Sequence, residues 1–380
     1  MTRVEDIFRR DTPETGQAQA AALLMMGARL SGLTDVADDA AGDAFGVPRV
    51  TELPRPFRRR DAESVLGRLS TTPQFQGRAA TLGVASSAEA RTTLWHAVMR
   101  GSAAEAQAAA ATLIHLGLTV GAPAARVAAA TQVPHISGEA DPAAMAILRE
   151  ALDGYDEVVA EMAATGLAQL SAGAAPAGAR EAQPPGRAAG TGPASMIAHG
   201  TWSRLRGTWW RPGGDLFTYL RGGASPELYA KSDYFRWSSA YDKAARIAAA
   251  ADLKTWLAAR RLDGLETVYA HSHGGNVVLE AAANGVRVSL LVLLSVPARR
   301  RTAAEWSAIR RNTGRIVSLR VACDVVVLVD RSRQVFPREY VHDLGTVPNL
   351  IFDHSALTRS VTWRRNDLAA QVTYERGMVR

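Results

Sequence analysis

A single cysteine, Cys323, in 380 residues excludes an intramolecular disulfide framework and any cysteine-based zinc site, and leaves the redox compartment open. Lysine is nearly absent: Lys231, Lys243 and Lys254 are the only three among 44 basic residues, so arginine carries the formal charge of +7. That bias, with abundant alanine, suits a GC-rich genome. No nucleic-acid motif accompanies it, so nucleic acid is not an expected partner. A mildly basic surface leaves an anionic membrane surface open as one, phospholipid head groups included. Long apolar runs are missing too. The most apolar stretch, 108–125, is interrupted by His115, two glycines and Pro123, and is short for a membrane span. The first ten residues mix acids with arginines around no apolar core, so no secretory signal is read there. The expectation is a soluble, cytoplasmic protein, with signal-less export left open.

What is present is a globular composition, 47% apolar and 21% charged, in a chain long enough for two domains. Residues 1–60 form a poorly defined N-terminal segment. Within it 14–30 is helical in pattern, 34–46 is acidic and small, and 51–60 reads as a connector. Residues 61–170 read as a helical domain, with segments at 62–69, 87–100, 103–116, 122–131, 142–152 and 155–170. Asp141-Pro142 is a capped start with proline at the first helical position. Trp95, His96, His115 and His135 fit core or rim positions in such a bundle, and no catalytic constellation is found there. The domain is expected either to bind a protein partner or to cover the rest of the chain. Residues 171–193, rich in Gly, Ala and Pro, read as a linker.

The chemistry is expected after that linker. Thr267-Val268-Tyr269-Ala270-His271 has the β-branched and aromatic make-up of a buried strand, and a run of good helix formers begins after Gly275, so Ser272 falls at an abrupt strand-to-helix turn. Serine is a poor nucleophile until it is exposed beside a base, with N–H groups aimed at the developing oxyanion; such a turn supplies exposure and a helix N-terminus. It also demands small residues two before and two after, here Ala270 and Gly274. Strands are further expected at 195–198, 234–238, 288–296, 316–321 and 350–352, and helices at 239–261 and 303–311. Alternation of this kind implies right-handed crossovers and a parallel sheet, with functional groups gathered at the carboxyl ends of its strands. Ser272, Asp324 and His354 all occupy strand ends.

Ala270-His271-Ser272-His273-Gly274 resembles the G-x-S-x-G nucleophile elbow of the α/β-hydrolases, with alanine in the first small position. Phe235-Arg236-Trp237-Ser238, followed by a helix and the His-Ser-His-Gly elbow, is similar to bacterial lipases and esterases. The likeness covers about residues 194–360. It implies an α/β fold, a mostly parallel hydrolase sheet with helices on both faces, preceded by the all-α N-terminal domain and followed by a tail at 361–380. It also implies a serine carboxylic-ester hydrolase with no metal or organic cofactor. Ser272, Asp324 and His354 follow one another in the family's chain order, as nucleophile, acid and base. His199-Gly200 is similar to the family's H-G dipeptide, which puts an oxyanion-hole donor at the N–H of Thr201 or Trp202, beside that of His273.

Several alternatives stay open. Asp330 would be the acid if the strand before Asp324 ran on through 325–329, and His342 is a second candidate base. His271 and His273 are expected to point away from the serine, and their H-x-H spacing is weak as a metal signal. His199, Gly200, Trp209 and Trp210 are expected against substrate, a small-molecule or lipid ester, with the aromatics as an acyl-chain wall. Amides and thioesters would use the same three residues. The rival from another class is a catalytically silent hydrolase fold that works as a binding or scaffold protein through its helical half.

Overall fold

The computed structural model describes residues 7–41, 50–70, 88–154, 156–170, 194–202 and 207–379. The expected linker at 171–193 lies outside them. By packing, the chain divides into two units, Met1–Ala172 with Ala322–Arg333, and Gly173–Val321 with Gln334–Arg380.

The elements described in the first unit are helices: Pro13–Leu30, Thr34–Ala41, Arg59–Ser70, Ala88–Arg100, Ala103–Gly117, Pro123–Ser137, Pro142–Leu152 and Glu157–Leu170, plus the short Val325–Val329. Their starts are chemically marked. Thr12 with Thr15, and Ser102 with Glu105, form capping boxes, while Asp141 accepts from the N–H groups of Ala143 and Ala144 ahead of Pro142. The stretch 34–46, acidic and small, is helical over Thr34–Ala41. Small residues let the helices approach closely: a Cβ on Gly117 would come within 2.6 Å of Ala129 Cβ, and one on Gly166 within 2.5 Å of Thr131 Cγ2. Leu23, Leu24, Met25 and Met26 are buried in this core, and Arg91, also buried, pairs with Asp11 at 2.7 Å.

The run Val325–Val329 was open to being read as more strand, and it is a helix. Asp324 caps it, its Oδ1 accepting from Val326 N and Val327 N at 3.1 and 3.2 Å, and all five apolar residues are buried against helices Pro13–Leu30 and Glu157–Leu170. Cys323 Sγ donates to Ala40 O, and Arg331 donates to Ser31 Oγ at 3.0 Å. β-Branched side chains have a weak intrinsic preference for strand, and burial on a bundle overrides it.

His135, near the end of helix Pro123–Ser137, makes this unit sensitive to acid. Burial first, then the Arg331 guanidinium, lowers its pKa from the ordinary 6.5 to about 4. The folded state therefore holds the ring neutral while the unfolded chain protonates it. Stability is unaffected above about pH 6.5 and falls as the pH drops from there towards about 4. Amide protection in helix Pro123–Ser137, measured by hydrogen exchange, is expected to be weaker at pH 5 than at pH 7. His135→Gln should flatten that difference, and an equal pH dependence in the variant would refute the assignment.

The second unit is built on a five-stranded sheet: β1 Met196–Ala198, β2 Leu265–His271, β3 Val288–Leu294, β4 Thr313–Ala322 and β5 His342–Ile351, in the spatial order β1-β2-β3-β4-β5. The sheet is parallel, with Ala198 abreast of Ala270, His271 of Leu294, and Leu294 of Leu319. Alternate side chains of β1 to β4 enter different cores. Val268, Ala270, Leu291, Leu293 and Ile316 pack with Leu253, Trp256, Val277 and Ile309, from helices Lys243–Ala259, His273–Ala283 and Ala303–Asn312. Ile197, Tyr269, Leu290, Val292, Val317 and Leu319 pack with Phe217, Leu220, Trp363, Leu368 and Val372, from helices Asp215–Arg221, Ser360–Arg365 and Leu368–Gly377. Helices thus cover both faces, which is why β2 and β3 are apolar almost throughout.

Two expectations need correcting here. Residues 234–238 are not a strand: the chain touches β1 through one parallel bridge, Ser195 to Leu228, and then leaves the ladder. The carbonyl just before this segment is used by side chains, since Asp233 O accepts from Trp256 Nε1 at 2.8 Å and from Arg260 Nη2 at 2.7 Å. The segment 361–380 is no loose tail. Trp363 is fully buried, packs its ring edge-on to Tyr269 and donates its indole N–H to Leu357 O, so the last two helices help close one face of the sheet.

Candidate functional site

The carboxyl ends of β1 and β2 and the turn after β5 carry the predicted residues of the second unit. Ser272 joins β2 to helix His273–Ala283 with φ 52° and ψ −137°, a left-side conformation that L-residues adopt only under constraint. The constraint is visible on both sides. Ser272 N–H donates to Leu294 O at 3.0 Å, which ties it to β3, and Gly275 N–H donates to Ser272 O at 3.0 Å, which starts the helix. Glycine is required around it. A Cβ on Gly200 would sit 2.7 Å from Ser272 Cβ; one on Gly274 would strike His199 O and come within 2.6 Å of Ala198 O.

His199 is buried rather than open to a substrate. Its ring lies 4.0 Å, centroid to centroid, from that of Trp210 and 5.6 Å from that of Trp237, and its carbonyl accepts the Trp237 indole N–H at 2.8 Å. Trp210 is likewise buried, so this pair backs the Gly200 turn from behind. Trp209, half-buried, meets the ring of His271 edge-on at 5.5 Å. Of the two candidate donors after Gly200, Trp202 is spent: its N–H donates to Ser239 O at 3.2 Å. That leaves Thr201, whose buried Oγ1 has no hydrogen-bond partner among the described residues. Trp202 Nε1, His271 Nδ1 and Ser295 Oγ share that condition, and all four belong to the ends of β1, β2 and β3. Buried polar atoms are nearly always satisfied, so such a group at one sheet edge suits a place where a polar ligand binds.

His273 packs on Tyr241 and Asn276. Its Nδ1 accepts from Asn276 Nδ2 at 3.3 Å, its ring meets Tyr241 edge-on at 5.5 Å, and Asn276 Oδ1 is held by Arg301 Nη2 at 2.7 Å. His271 packs against the turn that carries His354. Its ring lies 4.6 Å from the ring of His354, and its Nε2–H donates to His354 O at 3.1 Å. Burial first, then the neighbouring His354, pushes its pKa well below the usual histidine range, so the ring is neutral. His271 is therefore in contact with the predicted base, a contact that the sequence pattern does not reveal. The H-x-H pair round the serine marks both rings in the sequence, and the direction of each depends on tertiary packing.

His354 opens a short 3₁₀ turn, His354–Thr358, just after β5, and is buried. His342 is the first residue of β5, about 30 Å from the other end at roughly 3.3 Å per residue. Its half-exposed ring pairs with Glu375 at 3.6 Å, so it is no candidate base. Asp324 is also buried, but it belongs by packing to the first unit, with one carboxylate oxygen on the cap of helix Val325–Val329. Asp330 ends that helix and accepts from Ser332 Oγ at 2.6 Å, so the strand extension that would have made it the acid does not occur. Among the described residues no group of His, Cys, Asp and Glu side chains could hold a metal ion. No helix of those residues is long and apolar enough to cross a membrane. In comparisons with known proteins, no family model matches the chain, and no curated protein or solved structure matches it significantly.

Proposed function

We propose that the second unit is a serine hydrolase of the α/β-hydrolase kind, cleaving a carboxylic ester through an acyl-enzyme. The observation that carries this reading is the backbone of Ser272. A serine held at φ 52° between a parallel strand and a helix, with glycine pressed on its Cβ, is the backbone arrangement that a nucleophile elbow requires. In the first half-reaction Ser272 Oγ attacks the ester carbonyl carbon and passes its proton to His354. The N–H groups of Thr201 and His273 receive the oxyanion, and the alcohol leaves with the proton from His354. Water then repeats the sequence on the acyl-enzyme. Asp324 is the acid on chain order alone. Half-buried Trp209 beside His271 favours a substrate with an apolar acyl chain, a lipid ester included. The chemistry needs no metal or organic cofactor.

A fluorophosphonate probe tests the proposal on the full-length chain. Peptide mapping is expected to locate the adduct on Ser272, with competition by short-chain esters. A folded chain that takes no label would favour the binding-protein alternative.

A further inference from the structure

We infer that His271 is a positioning residue, which pins the backbone of His354 and leaves that residue as the sole imidazole exchanging protons with Ser272; the inference rests on the hydrolase reading above. A carbonyl oxygen can only accept, so the 3.1 Å contact between His271 Nε2 and His354 O requires the hydrogen on Nε2. The neutral ring then has a bare Nδ1, which is packed against Gly200, where a Cβ would come within 3.1 Å of it. His271, itself at the end of β2, is thereby held against three segments: the turn after β1, the stretch that carries Trp209, and the turn that carries His354.

His354 needs such a tether. It arrives 83 residues later in the chain, on a five-residue 3₁₀ turn entered through Phe352 at φ 70°. A bond to its own carbonyl sets where that backbone stands, and a ring 4.6 Å away at 51° limits how its imidazole can swing. The ionisable groups that bear on His271 are imidazoles, His354 and His199, and both disfavour a charge on it beyond what burial already does. When His354 takes the serine proton, His271 stays neutral beside it.

The test compares two variants of the full chain, His271→Gln and His271→Leu. Glutamine keeps an N–H able to reach the His354 carbonyl; leucine fills similar space with no donor. The leucine variant is expected to lose about 10- to 100-fold in kcat on a short-chain ester, as a small misplacement of a catalytic group does. Its KM should change by no more than about twofold, and labelling of Ser272 should slow in parallel. Glutamine should recover most of the loss. Equal activity in the leucine variant, or equal losses in both, would overturn the inference.

The acid limb of the kcat/KM profile gives a second reading that survives if leucine fails to fold. It should follow one proton in the wild type and in His271→Gln alike. A two-proton limb that becomes single in the glutamine variant would mean that His271 titrates, and would also overturn it. Absence of any Ser272-dependent labelling in the wild type would instead remove the hydrolase reading on which it rests.

Discussion

Ser272→Ala is expected to lower kcat/KM for any carboxylic ester the protein turns over by about 10⁴- to 10⁶-fold, equivalent to about 5–8 kcal/mol of transition-state stabilisation. The effect is large because alanine removes the bond-forming atom while leaving the oxyanion donors, which still give a residual rate. The fold should hardly notice. Alanine meets the same φ of 52° with the same Cβ, so the strain at the elbow is unchanged and the unfolding free energy should stay within about 1 kcal/mol. Nucleophile and base work as one device, so adding His354→Gln should cost little more than Ser272→Ala alone. Steady-state kinetics of the two single variants and the double one decide it. A double variant far below either single would mean that the two side chains act separately.

Gly274→Val is expected to have the largest effect on folding. A Cβ there would collide with His199 O and stand 2.6 Å from Ala198 O and 2.9 Å from the His199 carbonyl carbon. Those are backbone atoms at the end of β1, held by the pairing of Ala198 with Ala270 and by the Trp237 indole on the His199 carbonyl. Neither can swing aside as a side chain could, so the helix after the elbow must move away from β1. Overpacking of this kind costs about 1–3 kcal/mol where side chains can yield, and here the loss should reach or exceed about 3 kcal/mol. Urea unfolding followed by tryptophan fluorescence measures it. Gly377→Ala is the control: a Cβ at that position meets nothing within 4 Å, and the midpoint should barely move. A valine variant as stable as the control would show that the approach of β1 to the elbow is looser than the backbone distances indicate.

Much of the second unit is legible in the sequence because its signals are local. The continuous apolar run beginning at Val288 can only be a strand covered on both faces, and it is β3. Thr302 ahead of Ala303 with Glu305 behind it is a capping box that starts a helix where the pattern expects one. The elbow is the clearest case. Strand composition, a serine, small residues at Ala270 and Gly274, and helix formers are read within sixteen residues, and the strained φ of Ser272 follows from them.

The fate of 234–238 is less local. Phe235 and Trp237 have strand-like composition and both are buried, yet the carbonyl that leads into the segment, that of Asp233, is engaged by Trp256 and Arg260, more than twenty residues on. The short C-terminal helices likewise become structural only through contacts such as that of Trp363 with Tyr269, nearly a hundred positions apart.

By itself, then, the sequence determines where strands and helices alternate, where the chain turns sharply enough to expose a hydroxyl, and which residue types stand at strand ends. Those properties depend on side-chain pattern and backbone sterics over a few residues. Only the tertiary structure decides that Val325–Val329 is a helix of the first unit, that the Trp202 N–H is already taken by Ser239, and that the His271 ring bonds the His354 carbonyl. Each of these is set by which distant group satisfies a buried polar atom or covers an apolar face, and no short window of sequence contains that partner.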